Sequence, residues 1–290
     1  MKKATVLVTG ASGFIGQHVI TDLLKEGYAV IATSSSEARA AVQPWFRQVR
    51  YLPFDLGNFA PEVNYYEYFQ RPDHMIHLAW EGLPQYKSLF HFEENLPRHY
   101  AFLKNMVTNG LTDLSVTGTC LEYGFHEGCL QEEMMTDPGN AYALAKDTLR
   151  KFLQQLQKVQ PFSLKWIRLF YMFGKGQNPN SLFSQLDRAI ERNEPAFNMS
   201  GGEQVRDYLP VADVAAYIRA IALQDQVTGL INCCSGQPVQ LKDLVALYLQ
   251  EKKSDISLNL GYYPYLDYEP MRFWGDNSRL QTILENEQSR

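Results

Sequence analysis

The chain has 290 residues, of which 45% are hydrophobic and 20% charged, and its formal net charge is −5. These values are typical of a globular protein with a sizeable core, and no run of Lys or Arg indicates a nucleic-acid partner. No segment reaches the roughly 18 uninterrupted apolar residues of a membrane span, and the first apolar run breaks at Thr9-Gly10 without a cleavage site. We therefore expect a cytoplasmic protein with no nucleic-acid or membrane partner.

The first half of the chain alternates β-type and helical patterns. Because strands and helices alternate, we predict an α/β fold with a Rossmann-type, doubly wound parallel sheet. Residues 1–173 would form this domain and residues 174–290 a smaller C-terminal substrate-binding lobe, some segments of which are expected to return to the main sheet. The predicted strands are 4–10, 28–34, 49–55, 73–80, 111–119 and 162–174, and the predicted helices are 16–27, 96–110, 141–159 and 211–223.

A glycine-rich loop, TGASGFIG, lies between the first strand and the first helix. Gly10, Gly13 and Gly16 follow at intervals of three. Gly10 permits a sharp turn, Gly13 lets the backbone approach a pyrophosphate, and Gly16 permits close packing of helix on strand. Phe14 and Ile15 begin the helix, whose free N–H groups face the phosphates. The spacing differs from G-x-G-x-x-G, but its place between strand and helix predicts dinucleotide binding.

The end of the second strand bears on the choice of dinucleotide. An acidic residue there would bind a ribose 2′-hydroxyl, whereas this chain has Thr33 and Ser34, with Arg39 close behind. Hydroxyls and an arginine can bind a 2′-phosphate, so the sequence favours NADP(H), with NAD(H) left open. The other predicted cofactor contacts are Asp55 and Leu56 after the third strand, Leu78 and Ala79 after the fourth, and Tyr142 and Lys146 in a later helix.

A tyrosine and a lysine lie one helical turn apart in NAYALAK, after a strand that ends in a hydroxyl. Tyr142 and Lys146 at i and i+4 project from the same helix face. We expect the ammonium to lower the pKa of the phenol, so that Tyr142 exchanges a proton with a carbonyl oxygen while a hydride moves at carbon. Thr119 could hydrogen-bond the same oxygen. A surface pair is the alternative, and the glycine loop argues against it.

These motifs together resemble the extended short-chain dehydrogenase/reductases, also called the NAD-dependent epimerase/dehydratase family. TGASGFIG looks like the cofactor loop of that family, TGTCLEYG like its Ser/Thr strand, and NAYALAK like its Tyr/Lys helix. RLFYMFGKGQ resembles its R-x-x-N-V-Y-G-P-G segment, with Tyr171 where Asn is usual, and EQVRDYLPVADVA resembles its R-D-[FY] element. The likeness covers nearly the whole chain.

The resemblance implies an NAD(P)-dependent enzyme whose C-terminal lobe binds a nucleotide sugar. Thr119, Tyr142 and Lys146 are then the expected catalytic residues. Thr119, Tyr142, Tyr171 and Arg206 are the expected substrate contacts, with Arg206 at the diphosphate or ribose, where a guanidinium matches phosphate oxygens. A surface ion pair of Arg206 and Asp207 is the alternative. Relatives pair through helices like those at 97–110 and 141–159, so the resemblance also implies a homodimer.

The Ser/Thr strand discriminates among the reactions of the family. Sugar 4,6-dehydratases have an acid and a base directly after the Thr, but this chain has Cys120 and Leu121 there, and Glu122 should point to the opposite face. The sequence looks most like reductases of bacterial deoxysugar and O-antigen (lipopolysaccharide) pathways, such as dTDP-4-dehydro-6-deoxyglucose reductases. We therefore expect reduction of a nucleotide-linked 4-keto-6-deoxyhexose. A 4-epimerase, or a catalytically silent dinucleotide-binding protein, is the alternative.

Two other residue groups yield weaker expectations. The six histidines and four cysteines have no metal-ligand spacing, so we expect no metal site. A cluster of tyrosines near the end of the chain either lines the sugar pocket or fastens the C-terminal segment. It comprises Tyr262, Tyr263, Tyr265 and Tyr268.

Overall fold

The fold was described from a computed structural model, which covers residues 3–265 and 270–289. Its central element is a seven-stranded sheet in the order β3-β2-β1-β4-β5-β7-β12, in which every neighbouring pair is parallel. The strands are β1 (Thr5–Thr9), β2 (Ala29–Thr33), β3 (Arg50–Tyr51), β4 (His74–His77), β5 (Asp113–Thr119), β7 (Ser163–Leu169) and β12 (Gly229–Cys233). The predicted doubly wound parallel sheet is confirmed.

Helices cover both faces of this sheet because its strands are apolar on both sides. Val6 and Val8 of β1 pack into one core cluster, and Leu7 between them packs into the other. The helices are α1 (Phe14–Lys25), α2 (Glu37–Ala41), α3 (Tyr65–Tyr68), α4 (Leu96–Thr108), α5 (Ala141–Gln157), α6 (Leu182–Glu191), α7 (Val211–Ala222), α8 (Leu241–Glu251) and α9 (Ser278–Gln288). On one face α1, α7 and α9 pack together, and on the other α4 packs against α3 and α5.

The order of the strands reverses direction between β1 and β4. In open parallel sheets, ligands bind beyond the carboxyl ends of the strands at such a switch point. The loop that follows β1 is the glycine loop, and the segment that follows β4 begins at Leu78. The sheet therefore places the predicted cofactor residues of both segments at one edge.

Four small two-stranded sheets lie outside the main sheet, and most of their strands come from the second half of the chain. A separate apolar cluster built around Phe183 and Phe197 lies in this half. The added strands are β6 (Gly128–Leu130), β8 (Tyr171–Phe173), β9 (Ala196–Asn198), β10 (Val205–Arg206), β11 (Tyr208–Pro210), β13 (Val239–Gln240), β14 (Ser257–Asn259) and β15 (Phe273–Gly275), paired as β10–β13, β8–β11, β9–β14 and β6–β15. The division at residue 173 stays a prediction.

Two predicted strands differ from the structure. The run 162–174 is divided at Phe170, so β7 belongs to the main sheet and β8 pairs with β11. The third predicted strand shrinks to two residues at the sheet edge, where it has a single neighbouring strand. Within the described ranges, no helix is long and apolar enough to cross a membrane.

Candidate functional site

A cavity of about 450 Å³ lies at the switch point of the sheet. Its walls are the glycine loop, the end of β2, the segment after β3 and the segment after β4. Nine predicted cofactor residues line it, namely Gly10, Gly13, Thr33, Ser34, Arg39, Asp55, Leu56, Leu78 and Ala79. Phe14, Ile15 and Gly16 do not line the cavity; they form the first turn of α1 beside it. Phe54 and Trp80, in the predicted segments after β3 and β4, also line it, as do Thr9 and Ser12, which were not among the predicted residues.

The glycine loop passes so close to other backbone atoms that a side chain at Gly10 or Gly16 would collide with them. Gly10 has φ +67°, and a Cβ atom there would lie 2.8 Å from the backbone nitrogen of Ala79. A Cβ atom on Gly16 would lie 2.3 Å from the carbonyl oxygen of Gly10. Gly13 is the N-cap of α1 and offers no side-chain partner to the first N–H groups of the helix. The loop, the free N–H groups and the cavity therefore fit the pyrophosphate of a dinucleotide.

A buried chain of polar side chains fixes the cavity wall formed by β4. The Thr9 hydroxyl accepts the amides of Leu78 and Ala79 at 3.2 and 3.3 Å and lies 2.9 Å from His77 Nδ1. His77 Nε2 in turn lies 2.7 Å from His99 Nδ1. Burial lowers the pKa of His77 to about 3 and that of His99 well below its usual range, so both rings are neutral.

The three predicted catalytic residues lie on adjacent elements. Thr119 ends β5, and Tyr142 and Lys146 lie on α5, which packs against β5. Asn140 caps α5 by accepting the amide of Ala143 at 2.9 Å, which places Tyr142 in the first turn. The Thr119 side chain is close enough to the Tyr142 phenol to lower its pKa. Thr119 is 7% and Tyr142 8% exposed, so the pair is held in a mostly dry pocket.

The acid–base behaviour of Tyr142 differs from the expectation. The sequence predicts a pKa lowered by Lys146, whereas burial raises the pKa of the phenol well above its usual value, and the charges of Tyr86 and Glu122 add to this. The nearby Thr119 side chain lowers the pKa of Tyr142 and offsets only part of the rise. The expectation failed because it considered the ammonium and left out the desolvation of a buried phenol. Tyr142 is therefore protonated near neutral pH.

Lys146 lies beneath the same pocket. Its Nζ donates to the carbonyl oxygen of Thr117 at 2.8 Å and lies 4.1 Å from the centre of the Trp80 ring. Burial lowers the pKa of Lys146 to about 7, and the Glu122 carboxylate opposes this lowering. The Lys146 side chain is therefore poised to lose or gain a proton near neutral pH.

The segment after β4 covers Tyr142. The rings of Trp80, Tyr86 and His91 lie 6.1, 5.6 and 5.4 Å from the Tyr142 ring, and the Tyr142 amide donates to the carbonyl oxygen of Tyr86 at 3.0 Å. Trp80 Nε1 donates to His91 Nδ1 at 3.1 Å. Trp80 both lines the cavity and contacts Tyr142 and Lys146, so it connects the cavity with the predicted catalytic residues. The unusual aromatic residue after HLA could have indicated this.

Tyr171 and Arg206, the other predicted substrate contacts, come together. The Arg206 guanidinium lies 5.8 Å from the Tyr171 ring and 4.4 Å from the Phe273 ring. It donates to the carbonyl oxygens of Val205 and Met271 and is 5% exposed. A surface ion pair with Asp207 is excluded, because Asp207 is buried and its carboxylate accepts bonds from the 235–236 segment and from the amide of Gly275. The role of Arg206 at a substrate stays a prediction.

The tyrosine cluster near the chain end is only partly described. Tyr262, Tyr263 and Tyr265 are exposed by 58, 52 and 41%, and the first two form an edge-to-face pair. Tyr268 lies outside the described residues. Among the residues that the structure describes, no group of three or more His, Cys, Asp or Glu side chains could hold a metal ion.

Comparison with known proteins agrees with this geometry. Residues 6–234 match the family described as NAD dependent epimerase/dehydratase family. The chain is 28% identical over 271 residues to a dTDP-6-deoxy-L-talose 4-dehydrogenase (NAD(+)) of Aggregatibacter actinomycetemcomitans, covering 93% of this chain and 98% of that protein. It is 26% identical to a UDP-glucose 4-epimerase of Neisseria gonorrhoeae, covering 84% of this chain and 81% of that one.

Solved structures show the same fold. MoeE5 in complex with UDP-glucuronic acid and NAD superimposes with a TM-score of 0.80 at 25% identity, over 97% of this chain and 92% of that one. The family match spans most of the chain and confirms both the resemblance and the predicted oxidoreductase-type enzyme. The chain belongs to the NAD-dependent epimerase/dehydratase family.

Proposed function

We propose that the protein reduces the 4-keto group of a nucleotide-linked 4-keto-6-deoxyhexose, and in reverse oxidises the 4-hydroxyl, as in deoxysugar and O-antigen biosynthesis. The observation that carries this proposal is that buried Thr119, at the end of β5, and buried Tyr142, on α5, lie on elements in contact, with Lys146 in the next helical turn. The similarity to a dTDP-6-deoxy-L-talose 4-dehydrogenase over nearly the full length of both chains supports the choice of carbon and of sugar class.

Each residue of the group has a role in the proposed reaction. The nicotinamide cofactor, when bound, supplies the hydride to the carbonyl carbon. Tyr142, which holds its proton near neutral pH, gives that proton to the carbonyl oxygen, and Thr119 holds the same oxygen by a hydrogen bond. Lys146, with its pKa near 7, returns a proton to the pocket. Hydride and proton together convert the ketone into an alcohol.

The cavity residues are proposed to hold NAD(H). The glycine loop would bind the pyrophosphate and Asp55 the adenosine part. The sequence favours NADP(H), but the similar dehydrogenase carries NAD(+) in its name and the MoeE5 complex contains NAD. The Ser34 hydroxyl is 3.0 Å from Tyr51 Oη, so it already has a hydrogen-bond partner within the protein. A 2′-phosphate would then depend mainly on the cationic side chain of Arg39, which lines the cavity. Dissociation constants for NADH and NADPH test this choice. Arg39→Ala should raise the dissociation constant of NADPH and leave that of NADH unchanged.

Dehydration is disfavoured by the side chains after Thr119. Cys120 and Leu121 supply no carboxylate, and the carboxylate of Glu122 is fully buried and bonded to Arg168. It is turned away from the pocket that Tyr142 enters. A 4-epimerase is the second candidate, because a UDP-glucose 4-epimerase is 26% identical to this chain.

The test mixes the purified protein with dTDP-4-keto-6-deoxyglucose and either reduced cofactor, and follows the loss of the reduced cofactor's absorbance. Tyr142→Phe keeps the ring and removes the proton donor, so it should bind cofactor normally and lose turnover by at least about a hundredfold. Interconversion of intact UDP-sugars without net consumption of cofactor would establish the epimerase. An unchanged rate in the Tyr142→Phe variant would exclude the proposed chemistry.

We also propose that the protein forms a homodimer through α4 and α5. Leu144 and Phe152 of α5 are 45 and 43% exposed, and the Phe152 ring packs at 5.2 Å on Tyr100 of α4. The two helices thus share an exposed apolar surface. Light scattering should give twice the chain mass, and Phe152→Glu should yield monomers. A wild-type monomer at micromolar concentration would contradict the proposal.

A further inference from the structure

The carboxylate of Glu122 lies behind Thr119 and is 0% exposed. Its Oε1 accepts the Thr119 amide at 2.9 Å, and both oxygens accept Trp166 Nε1 at 3.0 and 3.1 Å. Its Oε2 accepts Arg168 Nε at 2.8 Å. Every donor around this carboxylate is thus supplied by the protein, and one of them is the backbone of the predicted catalytic threonine.

The contact between Glu122 and Thr119 is reciprocal. The Thr119 hydroxyl accepts the amide of Leu121 at 3.3 Å, so Thr119 and Glu122 form a capping box around the short 3₁₀ turn Cys120–Tyr123. Because one lone pair of the hydroxyl is occupied by Leu121, its proton is left to point elsewhere. The Tyr142 phenol lies close enough to this hydroxyl for its pKa to be lowered by it. Glu122 therefore holds the backbone of Thr119 and, with it, the place of the Thr119 hydroxyl.

The strand is built around this carboxylate. A Cβ atom on Gly118 would lie 2.2 Å from Trp166 Nε1 and 2.3 Å from Glu122 Oε1, so only glycine fits. Arg168 stacks at 4.3 Å on the Tyr123 ring, whose hydroxyl donates to Asn232 at 2.8 Å. A buried ion pair contributes little net stability because both charges lose their water. A role in the site explains the arrangement better than stability does.

We propose that Glu122, through its ion pair with Arg168, is a positioning residue that fixes the Thr119 hydroxyl beside the Tyr142 phenol. The inference rests on the proposed function of Thr119 and Tyr142. The charge of Glu122 acts on the same site: it adds to the rise that burial gives the pKa of Tyr142, and it opposes the lowering that burial gives the pKa of Lys146. Glu122 would thus act on both the geometry and the proton affinity of the site without touching substrate.

Glu122→Gln tests the proposal because it keeps the shape and removes the charge. One oxygen becomes an NH₂ group, which cannot accept from Arg168 or Trp166. We expect kcat/KM to fall about tenfold to a hundredfold, the loss that a small misplacement of a reacting group causes. The pH profile should move to lower pH, because without the negative charge both Tyr142 and Lys146 lose their protons more easily. The pKa of Lys146 in the protein without cofactor or substrate should also fall. NMR measures it, and the Lys146 resonance is assigned by its absence from the spectrum of Lys146→Arg.

Two further variants keep the test decisive. Glu122→Gln with Arg168→Gln leaves no lone cation in the core, and should fold and retain the loss in kcat/KM. Asp113→Asn is the matched control, because Asp113 pairs with Lys165 at 2.6 Å across the same two strands, β5 and β7, at their opposite end. It should lower the melting temperature and leave the pH profile and the Lys146 titration unchanged.

The inference would be overturned if both Glu122 variants had lower melting temperatures but kept wild-type kcat/KM per folded molecule and an unchanged Lys146 titration. A moved Lys146 titration in a protein that turns over no nucleotide sugar would support the electrostatic role of Glu122 and contradict the proposed function instead. The two failures are therefore distinguishable.

Discussion

The ammonium nitrogen of Lys146 lies 4.1 Å from the centre of the Trp80 indole ring. Two other contacts fix the Trp80 ring in place. The ring stacks on His99 at 4.5 Å with an interplanar angle of 24°, and its Nε1 donates to His91. A cation on the face of an aromatic ring gains about 2 kcal/mol where water is excluded. Trp80 therefore helps to keep a charge on a lysine that is 2% exposed.

Replacing Trp80 should change the titration of Lys146. Trp80→Leu removes the aromatic face, so the pKa of Lys146 should fall further below its usual value, whereas Trp80→Phe keeps a face and should have a smaller effect. NMR of the Lys146 Nζ resonance measures both. Trp45→Phe, at a buried tryptophan of the other core cluster, is the control. Equal titrations in the Leu and wild-type proteins would contradict the assigned contact.

The buried Lys146 also predicts how stability depends on pH. Burial lowers its pKa from 10.5 to about 7, so between these values the unfolded chain binds more protons than the folded one. Stability should therefore rise as pH increases through this window, by a few kcal/mol from this residue alone. Lys146→Met should be the more stable protein at pH 7, with the difference shrinking toward pH 10. Urea unfolding at several pH values measures this, and a difference that does not vary with pH would contradict it.

Gly16→Ala should impair the cofactor loop. The added Cβ would lie 2.3 Å from the Gly10 carbonyl oxygen and 2.9 Å from that of Ala11, so the loop must move. We expect the dissociation constant of NADH to rise at least about tenfold and stability to fall by about 1–3 kcal/mol. Gly27→Ala is the control: its Cβ meets nothing within 4 Å, and its φ of +75° makes the change cost stability only. Unchanged NADH affinity in Gly16→Ala would show that the loop does not bind the cofactor.

Asp207 should matter for folding more than for the reaction. Its carboxylate accepts the amides of Ser235, Gly236 and Gly275 and the Ser235 hydroxyl. Asp207→Asn replaces an acceptor by a donor in this buried pocket and should lower the free energy of unfolding by about 2–4 kcal/mol. Asp213→Asn, at an exposed position of α7, should change it by less than about 0.5 kcal/mol. Equal unfolding curves for the two variants would contradict this assignment.

The sequence predicted the main sheet well because its cues are local. Short apolar runs mark β1, β2 and β4, and the amphipathic pattern of residues 141–159 marks α5. The small two-stranded sheets were not predicted, because strands of two or three residues carry no periodicity. Each also depends on a partner far away in the chain, as β6 does on β15.

The site was predicted less completely than the fold. Motif spacing predicted Thr119 and Tyr142, which the structure places on adjacent elements. It also predicted most of the cavity wall, because the residues of the wall adjoin strand ends. It did not predict the raised pKa of Tyr142, which depends on burial, or the pairing of Glu122 with Arg168, 46 residues apart in the chain. Alternation along a strand indicated that Glu122 faces away from the pocket, but not what it meets there.

The last strand of the main sheet, β12, comes from the second half of the chain and pairs with β7 over five residues. A fragment that ends at residue 173 would leave the backbone N–H and C=O groups of β7 open along one side, which invites association with other copies. Recombination between relatives that aims to exchange sugar specificity must keep β12 matched to the parent of β7. The crossover points would then lie on both sides of residues 229–233 rather than at a single boundary.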